Sequence, residues 1–326
     1  MPEARAPELF PVPILLIVFN RPAITRRVFE RIAEIRPERL LIVADGPRPN
    51  KPGEEELCRE VQKIVSAVDW PCEVLTNFAP SNLGCRERII SGLNWTFSIV
   101  EEALIFEDDC LPDLSFFPFC RDILERYRDD FQIAAISGVN LVEEFMNTPY
   151  SYYFSQLGGN CGWATWRTRW TDYDEHLKNW PALRAAGALS KVFDRPRDIA
   201  YWTRKFDMVY EGGAPSAWDY QWLYTRLFGD GLTVIPSVNL IENIGYGPGA
   251  THTRIPDTRL MPSAKPIEFP LRHPNDIIAS HSLDLHHQDL YFQTLFHRIV
   301  RVVNHLIGRA IGACQVGVTA KKGRES

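Results

Sequence analysis

The chain has 326 residues, 45% of them hydrophobic and 12% aromatic, which is enough apolar material for a large core and excludes global disorder. A formal charge of −5 argues against a nucleic-acid backbone as the main partner, which would call for a basic excess; it does not exclude one nucleotide held through a metal. The seven cysteines, at 58, 72, 85, 110, 120, 161 and 314, form no CxxC pair and no zinc-ligand spacing, a pattern that suits thiols packed as small hydrophobes in a reducing cytosol.

Residues 1–11 read as a loose tail, acidic rather than basic. The apolar run 12–19 contains a proline and is too short for a secretory signal, and no stretch approaches the ~18 uninterrupted apolar residues of a membrane span. A cytoplasmic protein is expected, attached at most peripherally to the inner face of the membrane. Ile14 to Phe19 is a continuous apolar strand ending in Asn20-Arg21-Pro22, where Pro22 suits the first turn of a helix. Ile24, Val28, Ile32 and Ile35 share one face of that helix. Leu40 to Ala44 is the next strand, closed by the Asp45-Gly46-Pro47 turn. Leu57, Val61, Ile64 and Val68 mark a second amphipathic helix, and Glu73 to Thr76 a short third strand. A loop containing Asn82-Leu83-Gly84 leads into a helix from Arg86 to about Glu102, with Ile89, Leu93, Phe97 and Val100 on its face. Strand and helix thus alternate over the first 110 residues or so, which predicts an α/β fold with a parallel sheet and right-handed crossovers.

The next strand, Ala103 to Phe106, runs straight into Glu107-Asp108-Asp109. Adjacent like charges repel and are costly to desolvate, so a fold holds them at a strand end with a compensating partner or leaves them in water as an acidic turn. Carboxylates are hard ligands suited to Mg²⁺ or Mn²⁺, and open α/β sheets bind ligands at the carboxyl ends of their strands. A helix over 114–128 and a strand from Ile133 to Ser137 continue the pattern. From Tyr150 the texture changes, and seven of the nine tryptophans fall between Trp163 and Trp222. Gly158 to Trp166 reads as a flexible loop. Helices are expected over 181–192, 197–210 and 216–228, then strands from Leu232 to Ile235 and from Val238 to Asn243. Residues 255–280 are proline-rich and read as irregular. Residues 290–311 form a basic amphipathic helix, which fits packing on its own domain or a neighbour ahead of lying on an anionic membrane.

The ordered set strand-Asn20-Arg21-Pro22, strand-Ala44-Asp45-Gly46, Asn82-Leu83-Gly84 before a helix and strand-Glu107-Asp108-Asp109 resembles a GT-A-fold nucleotide-sugar glycosyltransferase. More closely, it resembles bacterial sugar-transferase-like proteins related to the inverting N-acetylglucosaminyltransferase I group. The resemblance covers roughly residues 12–254, with a nucleotide half over 12–112, an acceptor half over 113–254, and a helical or irregular extension over 255–326. It implies a GT-A (Rossmann-like), mostly parallel sheet flanked by helices. It also implies transfer of a sugar from a nucleotide-diphospho-sugar donor to a hydroxyl of a glycan, glycolipid or other acceptor.

Within that resemblance, Asp109 would ligate Mn²⁺ or Mg²⁺ and Asp108 would face the donor ribose or sugar. Asn20, Arg21 and Asp45 would hydrogen-bond base and ribose, although Asp45 reads equally as a plain turn residue. Asn82, Gly84 and Arg86 would bring phosphate to a helix N-terminus. Asp219, in Ser-Ala-Trp-Asp-Tyr-Gln-Trp, matches the base that takes the acceptor proton, with an N-capping aspartate as the competing reading. Trp163 and Trp218 would stack on sugar, and His252 would complete the metal site. A nucleotidyltransferase on a similar sheet is the rival enzyme, but it calls for a Gly-rich loop where Asn20-Arg21-Pro22 stands. A non-catalytic sugar-binding relative is the rival of another class. Oligomer or membrane contact is assigned to the C-terminal helix alone.

Overall fold

Every residue of Ile14–Val18 (β1) is buried, which a strand achieves only when both faces of its sheet are covered. The computed structural model describes residues 9–214, 216–246, 262–290 and 292. In chain order, β1 is followed by Pro22–Ile35 (α1), Arg39–Ala44 (β2), Glu54–Val65 (α2), Glu73–Phe78 (β3), Cys85–Ile99 (α3) and Glu102–Glu107 (β4). These strands pair in parallel in the order β3-β2-β1-β4, so their carboxyl ends share one edge. The alternation read from the sequence is present element by element, and the fold is α/β.

Beyond β4 come Cys110–Pro112 (β5), Phe116–Arg126 (α4), Ile133–Ser137 (β6), Tyr152–Ser155 (β7), Trp163–Trp166 (β8) and the single turn Arg167–Trp170 (α5). Trp180–Ala185 (α6), Pro196–Tyr210 (α7), Asp219–Phe228 (α8), Leu232–Pro236 (β9) and Ile241–Asn243 (β10) complete the named elements. The main sheet has eight strands in the order β3-β2-β1-β4-β8-β6-β9-β7, and β10 pairs antiparallel with β5 in a second, two-stranded sheet. It is mixed: β8 runs antiparallel to both β4 and β6, and β7 antiparallel to β9.

Helices cover both faces. Leu16, Val18, Ile42 and Ala44 pack with Val28 and Ile32 of α1, Val61 of α2 and Phe116 and Phe117 of α4. On the other face Leu15, Ile17, Leu41 and Val43 meet Ile89, Leu93 and Phe97 of α3 and the aromatics Trp163, Trp170, Trp218 and Trp222. Gly92 is needed here because a Cβ would stand 2.8 Å from a Val43 methyl. Each such aliphatic side chain withdrawn from water contributes roughly 1.5–3 kcal/mol.

Several expectations change. Gly158 to Trp166 is not a flexible loop throughout: Gly158 (φ +119°) and Gly162 (φ +62°) turn the chain into β8, whose four residues are all buried in mid-sheet. The glycines conceal a central strand only four residues long. The helix expected over 181–192 divides at Gly187 (φ +62°) into α6 and a 3₁₀ turn, Ala188–Lys191. The last strand is confined to Ile241–Asn243, because the Asn239 carboxamide bends the chain before it, accepting from the Asn140 N–H at 3.1 Å. By packing, the chain divides into Met1–Asp284 and Leu285–Ser326. The first unit therefore runs past residue 254: the Ser280 N–H donates to the Phe154 carbonyl at 2.7 Å, covering the edge strand β7. No helix among the described residues is long and apolar enough to cross a membrane. Most of the amphipathic segment 290–311 lies outside the described residues.

Candidate functional site

The parallel strands deliver four polar segments to one sheet edge: Asn20-Arg21 after β1, Asp45 after β2, the 79–84 loop after β3, and Glu107-Asp108-Asp109 at the end of β4. The centre of this edge is an ion-pair cluster. Arg21 Nη2 donates to Asp109 Oδ2 at 2.9 Å and also to Asp108 Oδ1, and Nε lies 3.4 Å from Asp108 Oδ2. Arg21 Nη1 reaches the Gly245 carbonyl at 3.4 Å. The compensating partner demanded by the acidic triplet is thus present inside the protein as a guanidinium.

Electrostatics follow from burial. Burial works against the Arg21 charge, but Asp108 and Asp109 outweigh it and hold its pKa above the ordinary value. Asp108 is only 4% exposed, and burial pushes its pKa up against the pull of Arg21. Asp108 therefore faces Arg21. Glu107, the member of the triplet that the sequence leaves without a role, is pushed up by burial and by the charges of Asp109 and Asp108.

Asp109 is positioned from its other side by the segment after β10. The Ile244 N–H donates to the Asp109 carbonyl at 2.9 Å, and the Gly245 N–H donates to Asn243 Oδ1 at 2.9 Å. A Cβ on Gly245 would overlap Asp109 Oδ2 and stand 2.7 Å from its Cγ. This close approach of Gly245 to Asp109 is visible only in three dimensions. Beside it, Cys110 Sγ and Cys161 Sγ are in contact at 3.0 Å, both as free thiols.

Asp45 belongs to the loop more than to open solvent. Its carboxylate accepts from the Gly46 N–H and Leu83 N–H at 2.9 Å each, the Gly84 N–H at 3.1 Å and Asn82 Nδ2 at 2.8 Å. It thereby fixes the Asn82-Leu83-Gly84 turn at the start of α3, where Gly84 has φ +84°. Asn20 donates to Glu54 Oε1 at 2.9 Å, and Glu54 also holds Arg48, whose side chain and backbone N–H both donate to it. These donors, the Arg48 side chain foremost, hold the Glu54 carboxyl down at about 2. Arg86 is paired with Glu175 at 3.0 Å. Neither Glu54 nor Glu175 stands out in the sequence, since each is an ordinary acid in a charged run or loop.

Asp219 is the first residue of α8, and its charge adds to the upward shifts at Glu107 and Cys85. Cys85, first residue of α3, lies among the four acids: burial, then Glu107, Asp219, Asp109 and Asp45, push its thiol up to about 12. Trp163 and Trp218 are a correction. They are 1% and 6% exposed and stack on each other at 5.9 Å, with Trp222 against Trp163 at 5.7 Å. Their faces are spent on the core, so they form a wall behind the acids and not an open sugar platform. His252 lies outside the described residues.

The donor set suits a divalent cation of the kind that keeps most of its waters. Among the described residues no group of three or more His, Cys, Asp or Glu is placed to hold a metal ion. Mg²⁺-type sites use one or two carboxylates with substrate phosphates and water, and Asp109, with Asp108 adjoining, provides that number.

No protein-family model and no curated protein sequence matches this chain. Among solved structures it is similar to the mannosyltransferase PcManGT from Pyrobaculum calidifontis in complex with GDP-Man and Mn²⁺, at 14% identity over 48% of this chain and 44% of that one, TM-score 0.33. It is also similar to a cytidylyltransferase from Leptospira borgpetersenii serovar Hardjo-bovis, at 11% identity, 51% and 64% coverage and TM-score 0.32. A third is a UDP-glucose pyrophosphorylase complexed with UDP-glucose, at 13% identity, 44% and 61% coverage and TM-score 0.25. The chain spans between 44% and 64% of the length of these three proteins. Overlap of this extent concerns part of a sheet and carries nothing about ligand or reaction.

Proposed function

We propose that the chain is a nucleotide-sugar-dependent enzyme, specifically a metal-dependent inverting glycosyltransferase of GT-A type, related to the inverting N-acetylglucosaminyltransferase I group as the motif order suggests. The observation that supports the reading is that Asp109 after β4 and the Asp45-fixed turn before α3 share one sheet edge, with the charge of Asp219, first residue of α8, felt at Glu107 and Cys85. Ligands of open α/β sheets bind outside the carboxyl ends of the strands.

The roles divide by position. Asp109 is the proposed ligand of Mn²⁺ or Mg²⁺, held in place by Gly245 and the Ile244 N–H, with His252 as a further proposed ligand. When bound, such an ion offsets the diphosphate charge that develops as the bond from sugar to phosphate breaks. Asp45 and Asn82 shape the turn that presents the first N–H groups of α3, together with Arg86, to the diphosphate. Asn20 sits at the nucleoside side, oriented by Glu54. Asp219 takes the proton from the acceptor hydroxyl as its oxygen bonds to the anomeric carbon from the face opposite the diphosphate, whose bond to that carbon breaks so that it leaves as nucleoside diphosphate. The buried tryptophan wall excludes water behind it.

The test is turnover. The purified chain is offered a panel of nucleotide-diphospho-sugars with Mn²⁺ or with chelator, and in parallel a nucleoside triphosphate with sugar 1-phosphates. Nucleoside diphosphate released with Mn²⁺ and lost with chelator supports the transferase. Pyrophosphate released from the second mixture would move the assignment to a nucleotidyltransferase, and donor binding without any turnover to a sugar-binding protein.

A further inference from the structure

We infer that Arg21 is a resident stand-in for the cation: it occupies the acid pair while no metal is bound, and metal must displace it from Asp109. This deepens the proposed function and rests on its assignment of Asp109 as a metal ligand.

The guanidinium is placed as a competitor. One nitrogen, Nη2, serves both Asp108 and Asp109, and on Asp109 it takes Oδ2, the oxygen that also packs against Gly245. The other carboxylate oxygen, Oδ1, lies 3.6 Å from Cys110 Sγ. A cation approaching Asp109 therefore meets a positive group on one oxygen and a sulfur beside the other. Two cations on one carboxylate repel strongly at this depth, where solvent screening is weak.

The backbone of Arg21 stays put while its side chain is free to leave. Pro22 fixes the start of α1, and the Arg21 carbonyl accepts both the Thr25 N–H at 3.0 Å and Thr25 Oγ1 at 2.9 Å. The side chain is 21% exposed, so the guanidinium has a route outward. Released from Asp109, the planar fork is suited to a phosphate oxygen pair. Metal entry and the freeing of a phosphate-binding arginine are then one event, and an empty site keeps its acids neutralised.

The experiment measures Mn²⁺ alone binding to the full chain, by titration calorimetry and by the rise in Tm, for wild type, Arg21→Met, Arg21→Lys and Asp109→Asn. Displacement predicts that Arg21→Met binds Mn²⁺ at least about 10-fold tighter than wild type, with a larger metal-induced rise in Tm. Arg21→Lys, folded by circular dichroism and lacking the fork, is expected between the two. A merely structural Arg21 predicts the opposite sign: equal or weaker Mn²⁺ binding in both variants, which overturns the inference and leaves the transferase reading standing. If wild type, Arg21→Met and Arg21→Lys all fail to bind Mn²⁺, or if Asp109→Asn binds it as wild type does, the metal assignment falls and the inference with it.

Discussion

The Asp45 carboxylate accepts the Gly84 backbone N–H at 3.1 Å, across the sheet edge from the end of β2 to the start of α3. Three further donors, from Gly46, Leu83 and Asn82, converge on the same group, which is 5% exposed. The turn is also sterically tight, since a Cβ on Gly46 would stand 2.5 Å from the Ser81 backbone nitrogen. Hydrogen bonds to an ionised acceptor are worth about 1.5–3 kcal/mol each, and a shared acceptor makes them less than additive. Asp45→Ala is expected to cost about 3 kcal/mol, read as a lowered urea midpoint at unchanged slope.

Glu54 sets an acid limit on the same edge. Its folded pKa of about 2 lies below the ordinary 4.5, so its contribution to stability is fully present above pH 4.5 and is lost as pH falls through 2. Arg48 is 48% exposed, and screening of that partner reduces the contribution to an order of 2 kcal/mol. Glu54→Gln should therefore be less stable than wild type at neutral pH and converge on it toward pH 2. Urea unfolding at a series of pH values measures the difference; a constant gap down to pH 2 would refute the linkage.

The parts of this edge legible in the sequence are those set by local chemistry. Continuous apolar runs ending in turn residues identify β1, β2 and β4, and Pro22 locates the start of α1, because both signals act within a few residues. The order of the strands beyond β4 is not local. β8 has four residues behind a glycine-rich approach, and only its burial between β4 and β6 makes it a strand. For the same reason Trp163 and Trp218 read as exposed stacking rings until their mutual packing is seen. The counter-charge for Asp109 was legible as a need, but its identity as Arg21, 88 residues away, was not.

Glu107 gives the opposite pH dependence from Glu54. Its folded pKa is raised to about 8 by burial and by Asp109 and Asp108, so the unfolded chain ionises this group before the folded one does. Between pH 4.5 and 8 the folded state then binds more protons, and the Glu107 contribution to stability falls as pH rises. Glu107→Gln should flatten that decline, gaining on wild type most at pH 8. Denaturant midpoints for both proteins at pH 5, 6.5 and 8 test it, and parallel curves would count against a protonated Glu107.

Asp219 separates chemistry from binding. It lies at the first turn of α8, while the donor-side groups Asp45, Asn82 and Asp109 come from β2, β4 and the turn before α3. Asp219→Asn keeps the shape and the place in the first turn of α8 but removes the proposed proton acceptor. Transfer is expected to fall by at least about 100-fold, within the usual range for loss of a general base, with donor affinity within a few-fold of wild type. Retention of full transfer rate by the variant would leave Asp219 with only its place at the helix start.

Gly245 tests whether Asp109 is held in one geometry. The Cβ of Gly245→Ala would overlap Asp109 Oδ2 and stand 2.7 Å from the Asp109 Cβ, so the Asp109 side chain must shift and its pairing with Arg21 with it. Overpacking of this kind costs roughly 1–3 kcal/mol of stability, well short of unfolding a domain of this size. Mn²⁺-dependent donor binding is expected to weaken by more than about 10-fold. A double-mutant cycle localises the effect: in an Asp109→Gly background the added methyl meets neither the carboxylate nor the Cβ of residue 109, so Gly245→Ala should change donor affinity little further. An equal loss in both backgrounds would mean that Gly245 acts through the loop after β10 and not through Asp109.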